Sequence, residues 1–209
     1  MSVVVVTADQ RGSRDDDDRV PAMLSRLSRL TGLTGLTGPG SARVLPFERT
    51  VGDEIQGVVD DPETLTHALE ALLRDDHWHV GLGIGPVDLP LPEHAREGRG
   101  PAYLLAREAV TAAKGAPGQL RVGGSDPYLA RQLESAVWLW AAVLGRRTDK
   151  GWQVVDLVDG GLSYERTAAR LGISQSAVSQ RAQAAGLAEG RRARELVAHL
   201  VAECLAGNP

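Results

Sequence analysis

The chain has 209 residues, 43% hydrophobic and 24% charged, with a formal net charge of −4 at neutral pH. That is the balance of a soluble globular protein, with length for one ordinary domain and a small second one. A single cysteine, Cys204, excludes an intrachain disulfide framework and a multi-cysteine metal site, and no apolar run approaches the roughly 20 residues that span a bilayer.

The first ten residues, MSVVVVTADQ, lack the basic segment and small-residue cleavage site of a signal peptide and read as a buried strand. With the lone cysteine, this points to a reducing, cytoplasmic setting. Charge is unevenly spread: residues 146–194 carry nine Lys/Arg against five Asp/Glu, a basic tail on an acidic body. That is a hint of nucleic acid binding.

The β-branched run at residues 3–6 ends at Asp9, followed by the turn Gln10-Arg11-Gly12-Ser13. A carboxylate at a strand end beside free turn amides suits a metal and a phosphate; a plain strand exit is the other reading. The acidic run at residues 15–18 reads as a solvated helix start, since acids favour a helix N-terminus. Val20, Met23, Leu24 and Leu27 then recur on one helix face. Residues 31–40, TGLTGLTGPG, read as a loop.

Residues 45–59, LPFERTVGDEIQGVV, set two apolar runs around Gly52-Asp53-Glu54 and predict a hairpin with two carboxylates at its tip. Such a tip is either a solvated turn or half of a cation site. Asp61-Pro62 opens a helix whose stripe is Leu65, Ala68, Leu69, Leu72 and Leu73. Trp78, Val80, Leu82 and Ile84 alternate with His77, His79, Gly81 and Gly83 as in a half-buried strand. The two histidines are either ligands or members of its polar face. Gly81, Gly83 and Gly85 allow a close backbone approach.

Pro101 opens a helix burying Ala102, Ala106, Ala109, Val110 and Ala113, with Tyr103 and Arg107 sharing another face. Residues 119–122 suit an edge strand. Asp126-Pro127 caps a long helix with Leu133, Val137 and Trp140 inward. Trp138 falls off that stripe, pointing to the tail or a second subunit. GRRTDKG at residues 145–151 marks a boundary between domains 1–145 and 146–209.

The pieces TADQRGS, RTVGDE and VGLGIGPV, in that order, resemble class III nucleotidyl cyclases and GGDEF-type palm domains. ADQRGSR, VGDEIQG and GPAYLLAREA resemble the SatD-like bacterial proteins more closely. The resemblance covers roughly the first 125 residues. It implies an α+β, ferredoxin-like antiparallel sheet with helices. It implies that Asp9 and Asp53 hold Mg²⁺ or Mn²⁺ with a purine nucleotide. Gly12, Ser13, Arg49, Glu54, Tyr103 and Arg107 would then contact the nucleotide. Tyr103 stands where the family has an asparagine, and the finger loop is only a threonine–glycine repeat. The catalytic fittings are thus altered, and binding a nucleotide is favoured over cyclising one. The alternative is an active metal-dependent cyclase or nucleotidyltransferase tethered to DNA.

In the tail, Ser163 caps a helix Tyr164–Leu171, Gly172 makes a turn and Ser174 caps a second helix. RTAARLGISQSAVSQRAQ resembles the helix-turn-helix of phage repressors and of sigma-factor region four. A small all-α DNA-binding domain is expected, against a merely structural helical hairpin. Gln175, Ser176, Ser179 and Gln180 would face base edges, and Arg166, Arg170 and Arg181 phosphates. Trp152, Val155 and Leu157 suit a support helix. A last helix carries the stripe Ala193, Leu196, Val197, Leu200, Val201 and Cys204, either core or the seam of a homodimer. The whole then reads as a DNA-binding transcriptional regulator with a nucleotide-sensing body, partnered by double-stranded DNA and a second copy.

Overall fold

The computed structural model describes residues 2–13, 16–31 and 44–207. They form an α+β architecture, a mixed five-stranded sheet with eight α-helices. Strand β1 (Ser2–Gln10) is its centre, because its valine run is apolar on both sides. Val4, Val6 and Ala8 enter one core cluster; Val3 and Val5 enter the other. A strand covered on both faces carries such a continuous apolar run.

On one side β1 pairs antiparallel with β3 (Glu54–Val59), which pairs antiparallel with β2 (Leu45–Arg49). On the other it pairs antiparallel with β4 (Trp78–Pro86). The sheet is not antiparallel throughout. β5 (Leu120–Gly124) runs parallel to β4, so the order is β2-β3-β1-β4-β5. A helical crossover, α3 (Pro101–Ala112), joins those two strands, and a crossover is what a parallel pair needs.

Helices α1 (Val20–Thr31), α2 (Pro62–Asp75), α4 (Pro127–Leu144) and α8 (Leu187–Ala206) cover one sheet face, and α3 covers the other. Asp61 caps α2 through Thr64 N at 2.7 Å, and Asp126 caps α4 through Tyr128 N at 2.8 Å. The close approach foreseen at the β4 glycines is made by α3. A Cβ built on Gly83 would lie 2.0 Å from Ala102 O, and one on Gly81 2.3 Å from Val110 N.

The acidic run stands where it was expected: Asp16, Asp17 and Asp18 are exposed just ahead of α1, and Asp18 Oδ1 accepts from Val20 N at 3.1 Å at the start of the helix. Asp16 pairs with Arg19 at 2.8 Å and Asp18 with Arg49 at 2.6 Å. Trp138, off its helix stripe, packs on the body: its Nε1 donates to Leu120 O at 2.8 Å, closing over the edge strand β5. Most of the threonine–glycine repeat, residues 32–40, lies outside the described residues.

Beyond α4 the chain forms α5 (Asp149–Asp159), α6 (Tyr164–Leu171) and α7 (Gln175–Ala184) before α8. One apolar cluster takes in Trp140 and Leu144 of α4, Trp152 and Val155 of α5, Val178 of α7, and Val197 and Val201 of α8. The tail is thus seated on the body. Arg74 and Arg147 sandwich the Trp152 ring at 4.0 and 4.5 Å, while Arg74 also grips Asp156 at 2.7 and 2.9 Å. Arg194 pairs with Glu70 of α2. Cys204 is half-buried, and burial first, then Asp126 and Glu203, pushes its thiol up to about 11, so it stays protonated at neutral pH. Among the described residues no helix is long and apolar enough to cross a membrane.

Candidate functional site

At the C-terminal end of β1 the register sets Asp9 opposite Glu54 on one neighbour and His79 on the other. The β2–β3 turn closes beside it, where Gln10 N donates to Asp53 O at 3.2 Å. Asp9, Gly12, Ser13 and Asp53 therefore line one open cleft of about 530 Å³, shared with Arg11, His79 and Lys114. The two aspartates lie on the same side of the body. Lys114 Nζ stands 3.3 Å from Asp9 Oδ2. Among the described residues no three His, Cys, Asp or Glu side chains group as a metal site.

The other residues of the expected nucleotide set separate. Arg49 lines an adjoining recess with Ser13, Gly52 and Asp53, its guanidinium held by Asp18. Glu54 turns to Thr50, accepting from its Oγ1 at 2.6 Å, and so braces the hairpin. Tyr103 and Arg107 do not join the cleft, nor do they share an environment. Arg107 is exposed on α3, whereas Tyr103 is buried against the segment before α3, beside Gly98. The reason is polarity. α3 runs with its first turn by Gly83 and its last by Gly81, so its C-terminal end, not its middle, reaches Asp9.

Tyr103 has a measurable signature. Its hydroxyl finds no hydrogen-bond partner among the described residues. Burial first, then the charge of Glu48, pushes its pKa from the ordinary 10.0 up to about 12. The folded form therefore holds a proton that the unfolded chain has released, so this contribution to stability is present below pH 10 and lost as pH rises towards 12. Tyr103→Phe should flatten that alkaline fall in melting temperature and cost little at neutral pH, because no hydrogen bond is removed. An unchanged alkaline limb would refute the assignment.

The second surface is the α6–α7 pair. Ser163 Oγ accepts from Arg166 N at 3.2 Å and Ser174 Oγ from Ala177 N at 3.1 Å, so each helix begins on its serine cap. Gly172 between them is left-handed, at φ 65°. A side chain is disfavoured there, which is why the turn carries glycine. Thr167, Ala168, Val178 and Ala182 are buried between the helices and their neighbours. Gln175, Ser176, Ser179 and Gln180 are exposed on α7, Arg166 and Arg170 are exposed on α6, and Arg181 is half-exposed.

Gln10, Arg11, His79 and Lys114 are the cleft residues that sequence reasoning did not assign to the site. Arg11 sits inside the quoted turn but carries no pattern of its own. Lys114 follows the α3 stripe, and only the packing of α3 on β4 brings it to Asp9. His79 is held below its ordinary pKa by burial first and then by Arg11 and Lys114. No protein-family model, curated protein or solved structure matches the chain.

Proposed function

We propose that the chain is a DNA-binding regulator in which α6–α7 act as a helix-turn-helix and the sheet body senses a purine nucleotide. The carrying observation is α7. It presents Gln175, Ser176, Ser179 and Gln180 to solvent, contains no carboxylate, and stands beside the exposed Arg166 and Arg170. Side-chain amides and hydroxyls read base edges, and guanidinium groups anchor phosphates. Selection from a pool of random duplexes by the full chain should enrich one sequence. A pool that never departs from random overturns the reading.

For the body, the order β2-β3-β1-β4 with the β1-α1-β2-β3-α2-β4 succession supports a ferredoxin-like, palm-type arrangement. Two carboxylates on one cleft are the donor set that Mg²⁺ takes when phosphate and water complete its shell. The cation would supply charge neutralisation for those phosphates. Lys114 and Arg11 are already placed to meet them. Magnesium alone should therefore barely stabilise the protein, because Lys114 already neutralises Asp9. ATP or GTP with magnesium should stabilise it, by about 2.7 kcal/mol at a hundred times Kd. Asp53→Asn should remove the magnesium-dependent part only. A melting temperature that moves with neither nucleotide refutes the sensing role and leaves the DNA reading standing.

A further inference from the structure

Seven large hydrophobic side chains are exposed among the described residues, and three of them lie together. Tyr128, Leu139 and Leu196 line one groove of about 480 Å³ between α4 and α8, with Ala136 and Leu200 in its floor. Single exposed apolar residues are ordinary, but a contiguous strip marks a surface that is covered in use. We propose that a second copy of the chain docks on this groove across a two-fold axis perpendicular to α4 and α8, forming an antiparallel four-helix contact.

The charges at the ends of each helix point to that occupant. On α8, Arg192, Leu196, Leu200 and Glu203 recur at spacings of three or four and share a face. The strip is apolar in the middle, basic at one end and acidic at the other. On α4, Tyr128, Ser135, Leu139 and Arg146 fall at intervals of seven, four and seven and also share a face, with Arg131 and Gln132 lining the groove between the first two; an aromatic ring stands at one end and a guanidinium at the other. Turning either strip end for end sets Arg192 against Glu203 of the partner subunit and Arg146 against Tyr128 of the partner subunit. These are an ion pair and a cation–π contact.

An isologous interface requires one axis to serve both helices. A Cβ on Gly207 would lie 3.5 Å from Leu129 Cδ1, and one on Gly190 3.9 Å from Val143 Cγ1. The helices therefore run antiparallel, with Val197 level with Val137. The midpoint of Arg192 and Glu203 falls between Val197 and Ala198, and that of Tyr128 and Arg146 falls at Val137. The two strips share a centre. Within the chain Arg192 contacts Glu195 at 2.8 Å, but both are exposed, and such a pair is exchanged at little cost.

This inference stands whether or not the tail binds DNA, and sedimentation velocity on the full chain without DNA tests it. The wild type should be a dimer, and Leu139→Asp should make it a monomer with an unchanged far-ultraviolet spectrum. Arg192→Glu and Glu203→Arg should each weaken association by about tenfold or more, through like charges brought together. The double variant should recover it, since the exchanged pair is again complementary. Both residues are exposed, so folding is not at issue. A wild type that stays monomeric at the highest soluble concentration overturns the proposal. So does a dimer indifferent to Leu139→Asp, or a double variant no tighter than the singles.

Discussion

Gly83→Ala is expected to be among the most damaging single-methyl additions to this chain. The new Cβ would meet Ala102 O at 2.0 Å and Ala106 N at 2.4 Å. Both are backbone atoms inside a helix, so no rotamer change can relieve the contact. The relief available is to lift α3 from β4, which opens the layer between Ala102, Ala106 and the sheet. Overpacking ordinarily costs about 1–3 kcal/mol, and a backbone clash of this depth belongs at or above the upper end. That is a large share of the roughly 5–15 kcal/mol that holds a domain together. Urea titration should show a midpoint falling steeply at constant slope. Leu104→Ala, on the exposed side of the same helix, should move it by less than about 0.5 kcal/mol. Equal effects at the two positions would mean that α3 does not rest on the glycine stripe.

The second large effect concerns DNA. If Arg166, Arg170 and Arg181 each neutralise one phosphate, log affinity should fall with log salt at a slope of about −2.7 per tail, or roughly 40-fold between 50 and 200 mM. Replacing all three by Ala should flatten the slope and weaken every duplex alike. Gln175→Ala should behave in the opposite way. It should leave the slope intact, cost about 1–3 kcal/mol on the selected sequence and hardly touch random DNA. A salt response that survives the triple replacement would put the phosphate contacts elsewhere, and a uniform loss from Gln175→Ala would make that residue structural.

Elements whose signals are local were legible from residues alone. The valine run of β1, the Asp61 cap of α2, the alternation of β4 and the Ser163–Gly172–Ser174 punctuation of α6–α7 each act within a few residues of where they are written. The convergence of Asp9 and Asp53 was legible too, because a strand end and a hairpin tip are both ends of the same sheet. What depends on the direction in which a helix crosses the sheet was not. The periodicity of α3 shows which face is buried but not which end meets Asp9, so Lys114 went unassigned and Tyr103 was placed in the wrong company. β5 was found as an edge strand, yet its parallel pairing follows from the crossover rather than from its five residues. Trp138 is off its helix stripe because it answers a backbone carbonyl of β5, a need that no hydrophobic pattern records.

The central position of β1 also bears on how the chain is made. Once made, β1 must wait for residues 54–59 to pair one edge and for residues 78–86 to pair the other. At about 5–20 residues per second, that wait lasts several seconds. Until residues 54–59 are made, Val3 to Val6 form an apolar β-branched run with no partner on either side, and one side stays open until residues 78–86 follow. Such a segment is what chaperone holdases bind and what nucleates aggregation between nascent chains. Synthesis rate up to residue 86 should therefore govern soluble yield more strongly than synthesis rate through the tail.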